Sequence, residues 1–215
     1  MFRILLLQNN AVIGERLRNV ISAMPEMEVS GPAVTLAQAA HSILLGAPDL
    51  VLVDLQLVTT AFETLLDELC GHARESRPLV LVGALSLDDP KLIGAIAQGA
   101  DGYFLHGSST EELQHAIRQV FDGESPLAPR IARQVKAFFD APAWNGEGFG
   151  GETREAMRLS VAQLQMLERI CDGFLVHEIA REMQTTPHDV GLGIRTLYRK
   201  LQLDRRAAQM AGQLH

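Results

Sequence analysis

Four short apolar runs, at residues 2–7, 50–54, 79–82 and 102–105, and a short strand-like stretch at 28–30 alternate with segments of helical spacing. That alternation constrains the fold of the first 122 residues more than any other feature. Five strand–helix units with short connections imply α/β architecture: a five-stranded, doubly wound parallel sheet with right-handed crossovers and helices on both faces. The second of these runs, Leu50-Val51-Leu52-Val53, is apolar at every position, as a strand buried on both faces must be. It ends on Asp54, at the carboxyl end of a central strand, where open α/β sheets place their chemistry.

The intervening helices carry their own punctuation. Val12, Leu17, Val20 and Ile21 share one side of a helix over 11–24. Thr35 is positioned to cap a helix reaching Leu45, and residues 62–70 have helical spacing. Asp88-Asp89-Pro90 opens a further helix, and Ser109, with Glu111 and Glu112 in the following turn, caps the last.

Beyond residue 122 the pattern breaks. The expected division is an α/β domain over 1–122, a connecting region over 123–158 and an all-α domain over 159–215. A short helix is expected over 131–139, followed by a linker rich in Pro and Gly over 141–151. In the last domain Leu164, Leu167 and Ile170 share a helical face, and Asp172-Gly173 supplies a left-handed stop. Gln184-Thr185-Thr186 forms the next turn. Thr186 caps the following helix, Pro187 fits its first turn, and Asp189 stands three residues after the cap. Val190, Ile194, Leu197 and Leu201 form the stripe expected to be buried, leaving His188, Leu192, Arg195 and Arg199 on the opposite face. Two helices joined by a short turn are compatible with a helix-turn-helix, a motif in which the second helix enters the DNA major groove.

Charge divides along the same line. The net charge is −7, yet residues 153–215 carry nine Lys/Arg against seven Asp/Glu, and the remainder carries ten against 19. An acidic front with a +2 tail fits two domains with different partners and a modest affinity for nucleic acid per protomer. No apolar run approaches the ~20 residues of a membrane helix, so a cytoplasmic location is expected. The two cysteines, Cys70 and Cys171, fit free buried thiols in a reducing compartment.

On these elements the chain resembles a bacterial response regulator of the NarL/FixJ type, a receiver domain followed by a LuxR-type helix-turn-helix. The resemblance covers nearly all 215 residues. It is carried by Ile4-Leu5-Leu6-Leu7-Gln8-Asn9-Asn10, by Pro48-Asp49-Leu50-Val51-Leu52-Val53-Asp54-Leu55, and by Gly99-Ala100-Asp101-Gly102-Tyr103-Phe104-Leu105-His106, which is close to GADGYLLK. In the second domain it is carried by Leu159-Ser160-Val161, which resembles LTP/LTx, and by Glu178-Ile179-Ala180, which match EIA.

The resemblance implies a phosphoacceptor at Asp54, but the accompanying chemistry departs from it. An acidic pair that binds Mg²⁺ aligns here with Gln8 and Asn9, a Thr or Ser with Gly83, and a Lys with His106. Amides in place of acids lower the carboxylate charge from −3 to −1, and Mg²⁺ needs carboxylates and phosphate oxygens to hold it. Phosphoryl transfer depends on positioning and charge neutralisation, so transfer to Asp54 is not expected. Two readings of Asp54 stay open: an ordinary polar strand end bonded to Gln8, Asn9 or His106, or a set of contacts that replaces the switch and fixes one conformation. Tyr103 aligns with the aromatic that moves in receiver switching, and core-edge packing is its alternative. Where the family reads TVKxH, the second domain has Asp189-Val190-Gly191-Leu192-Gly193. Arg195, Arg199, Lys200, Arg205 and Arg206 remain as candidate DNA contacts beside His188, Gly191 and Leu192.

The expected function is transcription regulation without phosphorylation, by a homodimer bound to promoter DNA, with residues 11–24 and 110–121 as the interface by analogy. Two alternatives stand: a module that modulates another regulator or a sensor kinase with DNA binding lost, or a receiver that answers to a small ligand in the emptied pocket. No catalytic constellation, metal set or cofactor motif is present in the sequence, and an enzyme is not expected.

Overall fold

The computed structural model describes residues 1–33, 35–59, 62, 64, 77–141 and 158–212. The chain divides into two compact units, residues 1–95 with 99–121, and residues 122–215 with 96–98.

The first unit contains five strands in the order β2-β1-β3-β4-β5, all parallel: β1 (Phe2–Leu7), β2 (Met27–Ala33), β3 (Leu50–Asp54), β4 (Leu79–Ala84) and β5 (Gly102–Leu105). The described helices over the same stretch of chain are α1 (Ala11–Ser22), α2 (Leu36–Gly46), α3 (Lys91–Gln98, of which 96–98 group with the second unit) and α4 (Thr110–Phe121). The helix expected over 62–70 lies almost wholly outside the described residues.

Strand β3 is buried along its apolar run, as its composition requires. Ile4, Leu6, Leu50, Leu52, Leu81 and Phe104 line one face of the sheet, and Leu17, Val20, Ile21, Leu113, Ile117 and Val120 cover it from α1 and α4. Each such side chain contributes about 1.5–3 kcal/mol on burial, so this layer fixes the register of the strands.

Local chemistry sets the helix starts. The Asn10 carboxamide oxygen accepts from the backbone N–H of Val12 and Ile13 at the head of α1. Thr35 and Gln38 form a capping box on α2, and Ser109 and Glu112 form one on α4. Edge strand β2 is longer than the expected 28–30. It continues through Gly31, whose φ of +105° lies in the left-handed region, and the register shifts between Leu5 and Leu7 beside it.

The second unit contains α5 (Pro129–Asp140), α6 (Val161–Cys171), α7 (Val176–Glu182) and α8 (Pro187–Gly212). The expected linker lies mostly outside the described residues. Ser160 and Gln163 form a capping box on α6, and Gly173 ends that helix with φ +91°. Gln184, at φ +54°, turns the chain from α7 to α8, which is one continuous helix of 26 residues. Val190, Ile194, Leu197 and Leu201 are buried along it. Among the described residues no helix is long and apolar enough to cross a membrane.

Candidate functional site

The carboxyl ends of β1, β3, β4 and β5 converge on Asp54. Register places Asp54 beside Gly83 and Gly83 beside Phe104, and the backbone N–H of His106 bonds to Ala84 at 2.9 Å. The Asp54 carboxylate accepts three hydrogen bonds. Its Oδ2 accepts from Gln8 Nε2 at 2.9 Å and lies 3.0 Å from His106 Nε2, while Oδ1 accepts from the backbone N–H of Gln56 at 2.8 Å. The side chains of His106 and Asp54 are 7% and 11% exposed.

The network assigns its own orientations. Gln8 Oε1 accepts from the backbone N–H of Asn10 at 2.9 Å, so the amide nitrogen must face Asp54. A carboxylate can only accept, so His106 Nε2 carries the proton. Its Nδ1 is buried and meets no hydrogen-bond partner among the described residues. Burial pushes the Asp54 carboxyl up, but hydrogen bonds from His106, Gln8 and the Gln56 backbone, and the attraction of His106, outweigh it. The net effect holds the group below the usual aspartate value.

Of the residues expected around Asp54, Gln8 and His106 hold it. Asn9 is exposed on the cleft wall, and the Gln56 backbone N–H takes the third place instead. Tyr103 is buried, 6% exposed, within β5. The His106 ring lies directly over Gly83. The Arg16 guanidinium donates to the carbonyl of His106 at 2.7 Å and to that of Ser108. This anchor was missed from sequence, where Arg16 looks like one more polar residue on the outer face of α1.

As a donor set for Mg²⁺ the cleft fits poorly. One carboxylate is present, both its oxygens are engaged, and its side-chain neighbours are a neutral amide and an imidazole. Among the described residues no three His, Cys, Asp or Glu side chains cluster as metal ligands. The cleft measures about 190 Å³, below the roughly 300–1,000 Å³ of small-molecule pockets. Size therefore weighs against a ligand-responsive receiver.

On the second unit the structure corrects the expected exposed face of α8. Arg195 is 6% exposed and Gly191 is buried. Residues 191, 195, 198 and 202 form a second buried stripe beside the first, and part of its cover is the irregular segment 123–126. Glu124 Oε1 lies 2.7 Å from His188 Nδ1, and the Tyr198 hydroxyl donates to the Pro126 carbonyl at 2.5 Å. A covering segment without regular structure leaves no periodic signal, so sequence reasoning could not see it.

The remaining candidates fall out unevenly. Lys200 Nζ donates to Gln163 Oε1 at 3.0 Å and to the Arg158 carbonyl, and burial pushes its ammonium down. It braces the start of α6. Leu192 and Arg199 are exposed. Arg205 and Arg206 lie on α8, but their side chains fall outside the described set. Asp189 caps the helix: Thr186 Oγ1 accepts from its backbone N–H at 3.1 Å, and its carboxylate accepts from the Thr186 N–H at 3.2 Å. Hydrogen bonds from Thr186 and Thr185 hold that carboxyl below its usual value. Gly193 lies against Met166, whose sulfur would sit 2.8 Å from a Cβ there. Cys171 is a free, half-buried thiol, pushed up by burial, and Cys70 lies outside the described residues.

A five-stranded parallel sheet of order 2-1-3-4-5 followed by a helix-turn-helix unit is the arrangement of a receiver fold with a helical second unit. The chain is 26% identical over 203 residues to the nitrate/nitrite response regulator NarL of Escherichia coli, covering 94% of this chain and 90% of that protein. It is 27% identical over 206 residues to the transcriptional activator DevR/DosR of Mycobacterium tuberculosis, covering 96% and 91%. Among solved structures, RcsB from Salmonella bound to the promoter P1flhDC with a phosphomimetic has TM-score 0.52 at 14% identity, covering 94% and 92%; a further structure holds two RcsB dimers on two DNAs. No family model matches the chain. Over nearly its full length, the chain is similar in sequence to NarL-type response regulators.

Proposed function

We propose that this protein is a cytoplasmic transcription regulator that works without phosphorylation, binds promoter DNA as a dimer and has no catalytic activity. The carrying observation is the closed state of the acceptor: Asp54 is hydrogen-bonded to Gln8, His106 and the Gln56 backbone, with the His106 ring set over Gly83. Three of the roughly four lone-pair sites of that carboxylate are engaged, and incoming phosphate would meet an anion poorly screened by neutral amides.

DNA as partner follows from the homology with NarL and DevR/DosR and from the helix-turn-helix unit, whose α8 bears Leu192 and Arg199 on an exposed face. A dimer fits the weak charge of one module, because two linked modules gain avidity, and α1 and α4 are its proposed interface. The second reading, a module that modulates another regulator or a sensor kinase with DNA binding lost, is favoured by the burial of Gly191 and Arg195.

Two measurements test the proposal. Incubation with acetyl phosphate and Mg²⁺, followed by intact mass, should leave the protein unmodified. An adduct of about 80 Da, one phosphoryl group, at Asp54 would overturn phosphorylation independence. Chromatin profiling of the tagged protein should give promoter peaks that persist in Asp54→Ala, whereas a protein partner recovered without DNA enrichment would favour the second reading.

A further inference from the structure

Two hydrogen-bonded paths leave the Asp54 Oδ2 atom in opposite directions and meet again on α1. One runs through Gln8, which donates to that oxygen at 2.9 Å and accepts from the Asn10 backbone N–H at 2.9 Å. Asn10 in turn caps α1, its carboxamide oxygen accepting from the N–H groups of Val12 and Ile13 at 3.0 and 3.2 Å. The other path runs through His106, whose Nε2 donates to the same Oδ2 at 3.0 Å. The His106 carbonyl accepts from the Arg16 guanidinium at 2.7 Å, and Arg16 stands in the second turn of α1. Arg16 therefore closes the ring.

The second arm of the same guanidinium donates to the Ser108 carbonyl. Two carbonyls two residues apart suit a planar fork, whereas a lysine ammonium is a single nitrogen and a point charge. The segment that Arg16 grips leads straight into α4. The Ser108 N–H bonds back to the Leu105 carbonyl at 3.0 Å, and Ser109 and Glu112 then form the cap. Farther along, Gln114 Nε2 donates to the Val20 carbonyl at 3.2 Å, so α1 and α4 are tied along their length as well as at the head of α4.

We propose that Arg16 is a positioning residue. It closes the circuit Asp54–Gln8–Asn10–α1–Arg16–His106, which holds α1 and the head of α4 as one preformed face, the face assigned above to the dimer. The inference rests on that dimer reading. Each link is a side chain or backbone group of the protein itself, so the face is set by folding. A twofold dimer uses the face of both protomers, so the fraction of protomers with the face in place enters the dissociation constant squared.

The test uses the full chain, Arg16→Ala, Arg16→Lys, Gln8→Ala and the double variant Arg16→Ala with Gln8→Ala. Thr35→Ala removes the side-chain cap of α2, outside the circuit, and controls for loss of stability alone. Each is measured by sedimentation equilibrium, by amide hydrogen exchange over 106–113 and by urea midpoint. If loss of Arg16 leaves the face in place about a third of the time, the dimer Kd should rise about tenfold. Exchange over 106–113 should rise with it. Arg16→Lys keeps the charge without the fork and should fall nearer to Arg16→Ala than to wild type. A ring is open once any link is cut, so the double variant should be little worse than either single one. Thr35→Ala should lower the urea midpoint and leave Kd and exchange as they are in wild type.

Wild-type Kd and exchange in Arg16→Ala, additive effects of the two single variants, or a Kd raised equally by Thr35→Ala would overturn the positioning role. Wild-type protein that stays monomeric, with exchange raised non-additively in the variants, would uphold the circuit and sink the dimer reading instead.

Discussion

The imidazole of His106 occupies the space that a side chain at position 83 would need. A Cβ on Gly83 would fall 2.6 Å from His106 Cε1 and 2.7 Å from Phe104 Cζ, and Phe104 meets the imidazole edge-on at a centroid distance of 5.5 Å. The glycine and the histidine are therefore one structural solution. The ring reaches Asp54 across β4 only because β4 carries no side chain there.

This coupling is measurable as a double-mutant cycle. Gly83→Ala should destabilise the first unit by about 1–3 kcal/mol, the usual cost of overpacking a filled site. In a His106→Ala background the cost should shrink without vanishing, because Phe104 still meets the new methyl. Equal costs in the two backgrounds, read from urea midpoints, would show that the ring and the glycine are independent.

The hydrogen bonds on Asp54 predict a pH signature. A carboxyl held below its unfolded value binds fewer protons in the folded state. Its contribution is complete above the unfolded value near 3.9 and is lost as pH falls through the lower folded value. Asp54→Asn places an amide donor among three donors, at a cost of about 1–3 kcal/mol near neutrality. The stability gap between wild type and Asp54→Asn should narrow as pH is lowered from about 6 to about 3. A gap that stays constant over that range would remove Asp54 as its source.

The receiver frame was legible in the sequence because its signals are local and periodic. Strands β1, β3 and β5 begin and end where their apolar runs do, and Thr35 and Ser109 cap as their side chains allow, as Thr186 does in the second unit. The candidate sites were legible only where topology forces convergence, as at Gln8, Asp54 and His106. Arg195 was misassigned because it lies on a second buried stripe, with residues 191, 198 and 202, beside the one that the apolar periodicity shows. Arg16 was missed because its partners are backbone carbonyls about ninety residues away. Gly191 and Gly193 looked like lost contacts and are close-packing positions, against Glu124 and Met166.

Asp101 offers a sharper stability test. It is 1% exposed, binds Arg77 through two hydrogen bonds of 2.6 and 3.1 Å, and accepts from the Val80 backbone N–H at 2.7 Å. Removing one partner of a buried pair leaves the other charge uncompensated, so Asp101→Ala should cost about 3–5 kcal/mol. Loss of less than about 1 kcal/mol, the range of exposed pairs, would mean that the guanidinium is solvated when its partner is gone. Arg118→Ala, which breaks the half-exposed pair with Glu26 at 3.1 Å, serves as the low-cost control.

The cap of α8 separates the structural role of Asp189 from any role in DNA contact. Thr186 and Asp189 satisfy each other's backbone N–H at the helix start, and the Thr185 hydroxyl adds a bond of 2.9 Å to the same carboxylate. Thr186→Ala removes an acceptor that the first turn has no other way to replace, and should lower stability of the second unit by about 1 kcal/mol. Asp189→Thr restores the residue type that the family carries there and gives up the anionic half of the box. It should therefore lower helix stability, read as faster amide exchange at the start of α8, while removing a negative charge from the face offered to DNA. Tighter retention of duplex DNA with a looser first turn is the expected pair of results. A first turn that exchanges no faster would show that the carboxylate is not what holds it.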